Sequence, residues 1–298
     1  MNLVKNRKWW YLVSLSVIIP CVVSICLWGL KPSIDFTGGT KIEITGTTDK
    51  EAVNQIAQDN GIEEIAITPT EGGLFIRSKE QTEEVHRSFK NAIETKINGA
   101  KETKIETVGP SISKEITRNA FLSIVFASLF IIIYIGYTFR RVPKPASSWE
   151  FGIAAVMDIL YDAIIILGIF SILGHFKGVE IDPLFITAVL TILGFSVHDT
   201  IVIFDRIREN LVKGNYTDFE DAVSRSVYEM LPRTISTSFL VFIILVVLYL
   251  FGGETIKYFV LALLIGVFSG TYSSILNSSI LLVSYENFKL SKAKKTRV

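Results

Sequence analysis

Six stretches of this chain are apolar for long enough to cross a lipid bilayer, and this limits the possible folds more than any other feature. A hydrocarbon core about 30 Å thick takes about 20 helical residues at about 1.5 Å each. The stretches cover roughly residues 9–29, 119–139, 151–173, 184–204, 235–252 and 257–283. Of the 298 residues 49% are apolar, yet 20% are charged, so the two kinds must be segregated along the chain. That pattern describes a membrane protein with polar inserts. A net charge of +1 leaves no basic field to attract nucleic acid or an acidic polymer. Charge matters here by position.

Basic residues flank alternate ends of the spans. Lys5, Arg7 and Lys8 precede the first; Arg140, Arg141 and Lys144 follow the second. Arg206, Arg208, Lys213, Arg225 and Arg233 lie between the fourth and fifth, and Lys289, Lys292, Lys294, Lys295 and Arg297 close the chain. By the positive-inside rule both termini face the cytoplasm, and the segments near 174–183 and 252–256 lie outside. The first block has no small-residue cleavage pattern after it; Trp28, Gly29, Leu30, Lys31 and Pro32 read as the end of a retained anchor. Cys21 and Cys26, the only cysteines, both fall within that block, where neither a metal site nor a disulfide between loops is expected.

The resulting organisation is a first span over residues 1–30, an extracytoplasmic domain over 31–118, five spans over 119–285 and a basic tail over 286–298. In the outer domain, Thr37 to Thr45 reads as a strand after which Thr48-Asp49 caps a helix ending at Asn60-Gly61. Ile62 to Thr68 and Leu74 to Ser78 read as short strands joined across Pro69 to Gly73. A second helix over about Glu80 to Ile97 presents Val85, Phe89 and Ile93 at a spacing of four, and Thr103 to Val108 forms a last strand. The order β-α-β-β-α-β predicts an α+β ferredoxin-like sandwich, too small for a catalytic pocket of its own. Between the fourth and fifth spans, about residues 206–233, Phe219, Ala222, Val223, Val227 and Met230 predict an amphipathic connector along the membrane surface.

Ionisable groups within a bilayer cost about 2.5–3.5 kcal/mol on insertion scales, so those present need a reason. The candidates are Asp158, Asp162, His198 and Asp199. Asp199 lies about 8 Å from the arginine-rich end of its span. Burial favours a neutral carboxyl and a cation such as Arg233 a charged one, so a balance between them lets a proton come and go. Thr234, Ser236, Thr237 and Ser238 offer hydroxyls that can relay protons or simply satisfy helix packing. Asp158 and Asp162, four apart, share a helix face; a structural polar contact competes with a proton-carrying role for both. His198 follows a different direction round the helix from Asp199, which argues against a simple His-Asp pair, and an interface hydrogen bond is favoured for it over a proton-carrying role. Asp205, Arg206, Arg208 and Glu209 read as a solvated helix end, Arg206 being the one with a case for more. Gly266, Ser269, Gly270, Ser273 and their neighbours predict close packing of the sixth span. No phosphate-binding Gly-rich loop, zinc-protease motif, Cys/His ligand set or serine elbow occurs, so ATP hydrolysis and covalent catalysis are not expected.

Several segments resemble the SecF family. Asp35-Phe36-Thr37-Gly38-Gly39-Thr40 and Val108-Gly109-Pro110-Ser111 are similar to its hallmark segments flanking the outer domain. The run from Gly194 through His198-Asp199 and Asp205-Arg206 to Asn210 resembles its fourth-span signature, where Asn usually precedes the aspartate. Arg233 to Ser238 and Ser269-Gly270 to Ile275 resemble the fifth- and sixth-span motifs, and Tyr161-Asp162 stands where the family often has His-Asp. The resemblance implies half of an RND-type transporter, six membrane helices with SecD, a separate chain, as the other half. It implies a bacterial cytoplasmic-membrane subunit that uses the proton motive force to complete export of unfolded polypeptide after the ATP-driven step. SecYEG, YajC and SecA are the implied further partners, and protons the coupling ion with no other cofactor. Asp199, Arg233 and Thr237 match the positions tied to proton passage, with Asp162 as an additional candidate; Asp158 matches none. Two rivals stay open: a half-transporter that expels a lipid or small molecule, and a scaffold in which the aspartates merely hold helices together.

Overall fold

The computed structural model describes residues 6–62, 65–70, 73–214 and 216–295. Lys5, Arg297 and parts of the expected strand at Ile62 to Thr68 and of the turn across Pro69 to Gly73 lie outside the described residues. The chain forms two compact units, one of residues 1–30, 123–179 and 184–298, the other of residues 31–122 with 180–183.

The second unit starts with a short helix, α2 (Ile34–Thr37), capped by Ser33, whose hydroxyl accepts from the Asp35 backbone N–H. It continues through β1 (Gly39–Thr45), α3 (Lys50–Asp59), β2 (Ala66–Thr70), β3 (Gly73–Ser78), α4 (Glu83–Lys96) and β4 (Lys101–Val108). The sheet is antiparallel with order β2-β3-β1-β4, the ferredoxin-like arrangement. One face carries Ile42, Ile44, Leu74 and Ile76 against Val53, Ile56 and Ala57 of α3 and Phe89 and Ile93 of α4. Asp49 caps α3 by accepting from Glu51 and Ala52 N–H, both at 3.1 Å. The β2 strand starts later than the sequence suggested and takes in Pro69, which pairs with Leu74. Proline is tolerated because β2 is an edge strand, where one missing N–H removes no interior ladder bond. Gly38 and Gly39 turn the chain from α2 into β1 with φ of 73° and 119°. A Cβ on Gly39 would lie 2.4 Å from the Ser78 carbonyl oxygen, so only glycine fits.

The 180–183 segment belongs to this unit through both backbone and charge. Ser33 N–H donates to Ile181 O and Ile181 N–H to Lys31 O, each at 2.8 Å. Glu180 gathers Lys41 at 3.2 Å, Arg77 at 3.6 Å and Lys31 at 3.9 Å.

The membrane-length helices are α1 (Arg7–Trp28), α5 (Pro110–Thr138), α6 (Ser148–Lys177), α7 (Pro183–Lys213) and α8 (Phe219–Phe251), followed by α9 (Lys257–Tyr272) and α10 (Ser278–Lys295); the first unit holds them from Ser123 of α5 and Leu184 of α7 onward. A π turn over Ser273–Asn277 joins the last two, so that residues 257–292 make a sixth span. α5 begins at Pro110 rather than near 119, because proline suits the first helical position and the polar residues after it are compatible with helix. The connector also differs from expectation. α7 runs on to Lys213, and α8 starts at Phe219, capped by Asp218, whose side chain accepts from Asp221 N–H, then passes through Pro232 unbroken. The apolar face of residues 219–230 packs against Phe204, Ile207 and Leu211 of α7 instead of lying on a lipid surface. Phe139, Phe151 and Phe204 anchor that core, with ring centroids 5.0–5.6 Å apart. Cys21 is buried, Cys26 exposed, and neither is in a disulfide.

Candidate functional site

The buried polar groups of the bundle centre on α6. Asp158 and Asp162 are fully buried one turn apart, and α7, running antiparallel, offers Thr200 and Ser196 at the same spacing. Thr200 Oγ1 donates to Asp158 Oδ2 at 2.6 Å and Ser196 Oγ to Asp162 Oδ2 at 2.5 Å. Ser269 of α9 donates to Asp162 Oδ1 at 2.7 Å, and Ser273 of the π turn to Oδ2 at 2.9 Å. One carboxyl thus joins three helices. Asp158 Oδ1, by contrast, is buried with no partner among the described residues.

Small residues permit this convergence. A Cβ on Gly270 would stand 3.3 Å from Ser196 Cβ and 3.5 Å from Asp162 Oδ2, and one on Gly266 would run into Ile192. At the seam of α1 with α6, Ser24 Oγ donates to Gly168 O at 3.0 Å and a Cβ on Gly168 would lie 2.2 Å from Cys21 Cβ. Ser14 Oγ donates to Asn277 Oδ1 at 2.6 Å, tying α1 to the π turn.

Asp199 sits at the margin of this network, 5% exposed. Its Oδ1 lies 3.5 Å from Nδ1 of His198, whose side chain is 70% exposed. Adjacent helical side chains diverge, but the long imidazole bends back far enough to reach the carboxyl, a contact that the helical directions alone did not suggest. Oδ2 has no hydrogen-bond partner among the described residues. On α8, Arg233 and Ser238 stand near the carboxyl, Ser238 without completing a hydrogen bond. Thr237 and Arg233 are on the exposed face of α8, and Thr237 Oγ1 donates to the carbonyls of Arg233 and Thr234, both at 3.0 Å.

The remaining motif residues have structural placements. Ser33 Oγ donates to Asp35 Oδ2 at 2.9 Å, and Phe36 O accepts from Thr117 at 3.2 Å. Gly109 precedes Pro110, the first residue of α5. Asp205 pairs with Arg208 at 2.7 Å, and Arg206 with Glu229 at 2.6 Å and Glu209 at 2.5 Å, a network of surface ion pairs. Gly194 is exposed, with open space where a Cβ would point. Thr187, Thr191, Gly194, His198 and Asp205 form an exposed stripe of small and polar residues on α7, unlike the exposed leucines, phenylalanines and isoleucines of α1 and α5. Sequence reasoning did not single out Thr200 or assign Ser196, Ser269 and Ser273 to Asp162. The signal was present in the matched spacings 158/162 and 196/200. Among the described residues no cluster of His, Cys, Asp and Glu could hold a metal ion.

Fold and site together define a six-span membrane subunit with the architecture of one half of an RND-type transporter and an inserted ferredoxin-like domain. Residues 88–287 match the family of protein export membrane proteins SecD/SecF, C-terminal. Among relatives, the protein translocase subunit SecF of Thermobaculum terrenum is 41% identical, with 96% of this chain and 94% of that protein covered. SecF of Synechocystis sp. is 33% identical, covering 96% and 95%. SecDF of Bacillus subtilis is 31% identical over 96% of this chain but 38% of its own length. The crystal structure of SecDF, a translocon-associated membrane protein from Thermus thermophilus, superposes with a TM-score of 0.80 at 29% identity, covering 96% of this chain and 39% of that one. The chain belongs to the SecF family of protein translocase subunits. It is a multi-pass membrane protein of protein export, not a classical enzyme.

Proposed function

We propose that this subunit pairs with a separate SecD chain in the bacterial cytoplasmic membrane and uses the proton motive force to complete export of unfolded polypeptides after an ATP-driven step performed elsewhere. The observation that carries the proposal is Asp199: a buried carboxyl at the edge of the bundle, with His198 beside one oxygen and no hydrogen-bond partner for the other among the described residues, and with Arg233 near it on the next helix. Such a group is neither fully paired nor free, which suits reversible protonation.

In this reading Asp199 takes up and releases the coupling proton. Arg233 is its counter-charge, and Thr237, on the same exposed face as Arg233, joins the path contributed by both halves. Asp162 is a second proton site behind Asp199. Protonation weakens the Asp199–Arg233 attraction, α7 and α8 repack, and the outer domain changes its hold on an emerging polypeptide. One charge crossing 100 mV supplies about 2.3 kcal/mol, enough to bias a two-state element. The small-residue stripe on α7 supports a partner half packed there, as does the fusion of SecD and SecF in the SecDF proteins. Basic flanks support cytoplasmic termini, SecYEG with YajC and SecA completes the assembly, and the chain needs no cofactor or ATPase site of its own.

The test is gradient-dependent export of a secretory protein into inverted membrane vesicles containing this chain and SecD. An Asp199→Asn variant that assembles yet loses the gradient response supports the proposal; normal export overturns it in favour of a scaffold. A second reading concerns Asp162 alone. Three hydroxyl donors on its two oxygens favour a packing role, and gradient-driven export that survives Asp162→Asn would assign it that role.

A further inference from the structure

The ends of α5 and α7 border an open cavity of about 280 Å³ lined by Tyr134, Tyr137, Thr138, Arg140, Arg141 and Arg208. Guanidinium groups gathered at one small cavity repel one another unless carboxylates or another anion offset their charge. Arg208, one of the three arginines, has its carboxylate in Asp205 at 2.7 Å, and the neighbouring Arg206 and Lys213 pair with Glu209 and Glu229. Arg140 and Arg141 are exposed and have no carboxylate partner among the described residues. Arg140 instead stacks over the Tyr137 ring, 3.9 Å from its centroid, which fixes the guanidinium plane at the cavity.

We propose that this cavity binds the phosphate of an anionic phospholipid headgroup. Arginine suits the role because its planar fork donates two parallel hydrogen bonds to phosphate oxygens, and the Tyr134, Tyr137 and Thr138 hydroxyls add further donors. The site lies where a membrane-length apolar helix ends. Phe130, Ile132 and Ile133 are exposed on the turns just before it, so acyl chains of a bound lipid would run along α5 while its phosphate meets the arginines. Tyrosines at this level are the usual aromatic belt, and basic pockets between spans are typical headgroup sites. The acyl-chain surface favours a lipid over a free phosphate ion.

The test is native mass spectrometry of the full chain in detergent, titrated with phosphatidylglycerol, phosphatidylcholine or inorganic phosphate. Wild type is expected to retain phosphatidylglycerol in preference to phosphatidylcholine. The Arg140→Gln/Arg141→Gln variant should bind it roughly thirtyfold more weakly, the effect of two interfacial cations, while a control Lys144→Gln/Lys114→Gln variant binds as wild type. An Arg140→Lys/Arg141→Lys variant, which keeps the charge, should bind more weakly than wild type and guards against a folding defect in the first. Equal retention by wild type and both arginine variants, or equal retention of the two lipids, overturns the proposal. Displacement of phosphatidylglycerol by millimolar phosphate overturns the lipid assignment and leaves a free-anion site.

Discussion

Removing the Asp162 carboxyl would leave the hydroxyls of Ser196, Ser269 and Ser273 without their common acceptor inside a packed bundle. Hydrogen bonds between membrane helices contribute about 0.6 kcal/mol each on average, so Asp162→Ala should cost roughly 2 kcal/mol. Asp162→Asn, which keeps an acceptor oxygen, should cost less. Unfolding in SDS-containing mixed micelles, followed by circular dichroism, measures both. Asp158 presents the opposite case. Its Oδ1 has no donor among the described residues, so Asp158→Asn forfeits little and should stay within about 1 kcal/mol of wild type in the same assay. The sequence shows the two carboxyls as equals at a spacing of four. Only the side-chain partners separate a saturated acceptor from one with spare capacity, because those partners come from helices far away along the chain.

At the scale of elements, the α3 cap and the α1–α6 seam lend themselves to measurement. Asp49 satisfies two N–H groups that the helix start leaves open, and Asp49→Ala should lower the stability of α3 by about 1 kcal/mol. Hydrogen exchange of the α3 amides in the intact chain would register this as faster opening of that helix. Gly168→Leu should do more harm, since even a Cβ at this position would overlap Cys21 on both its backbone and its side chain. Separating two helices to make room costs about 1–3 kcal/mol or more, visible as a lower midpoint in the micelle assay. The capping signal at Asp49 was legible locally, as was the strand order of the outer domain from its β-α-β-β-α-β pattern. The continuation of α8 through Pro232 was not. Its first turns are amphipathic, and amphipathicity does not say whether the apolar face meets lipid or, as here, Phe204, Ile207 and Leu211.

For the molecule as a whole, the exposed stripe on α7 separates folding from assembly. Among the described residues, nothing beyond the helix's own backbone lies within 4 Å of a Cβ built on Gly194. Gly194→Trp should therefore leave the isolated chain folded, with an unchanged unfolding midpoint, but reduce co-purification with SecD at least about tenfold if a partner helix packs there. Full co-purification would place the partner elsewhere. Within the outer unit, Glu180 is the only carboxylate shared by Lys31, Lys41 and Arg77 among the described ion pairs. Glu180→Ala leaves three like charges together and should cost about 1–2 kcal/mol, with faster proteolysis of the 174–183 segment as the readout.

Sequence by itself determined the six spans, the polar insert with its ferredoxin-like order, and the candidate carboxyls, because hydropathy, periodicity and the cost of burying charge are local properties of the chain. It also held the family's motifs, and with them the expectation that Asp199 and Arg233 act together. Tertiary structure decided which hydroxyls meet which carboxyl, that residues 180–183 belong with the outer unit, and that Ser238 is the buried α8 hydroxyl near Asp199 while Thr237 bonds to its own helix. These depend on how helices distant in sequence are rotated and offset against one another. That rotation is fixed by close packing at glycine seams such as Gly168 and Gly266, whose partners Cys21 and Ile192 no local pattern identifies.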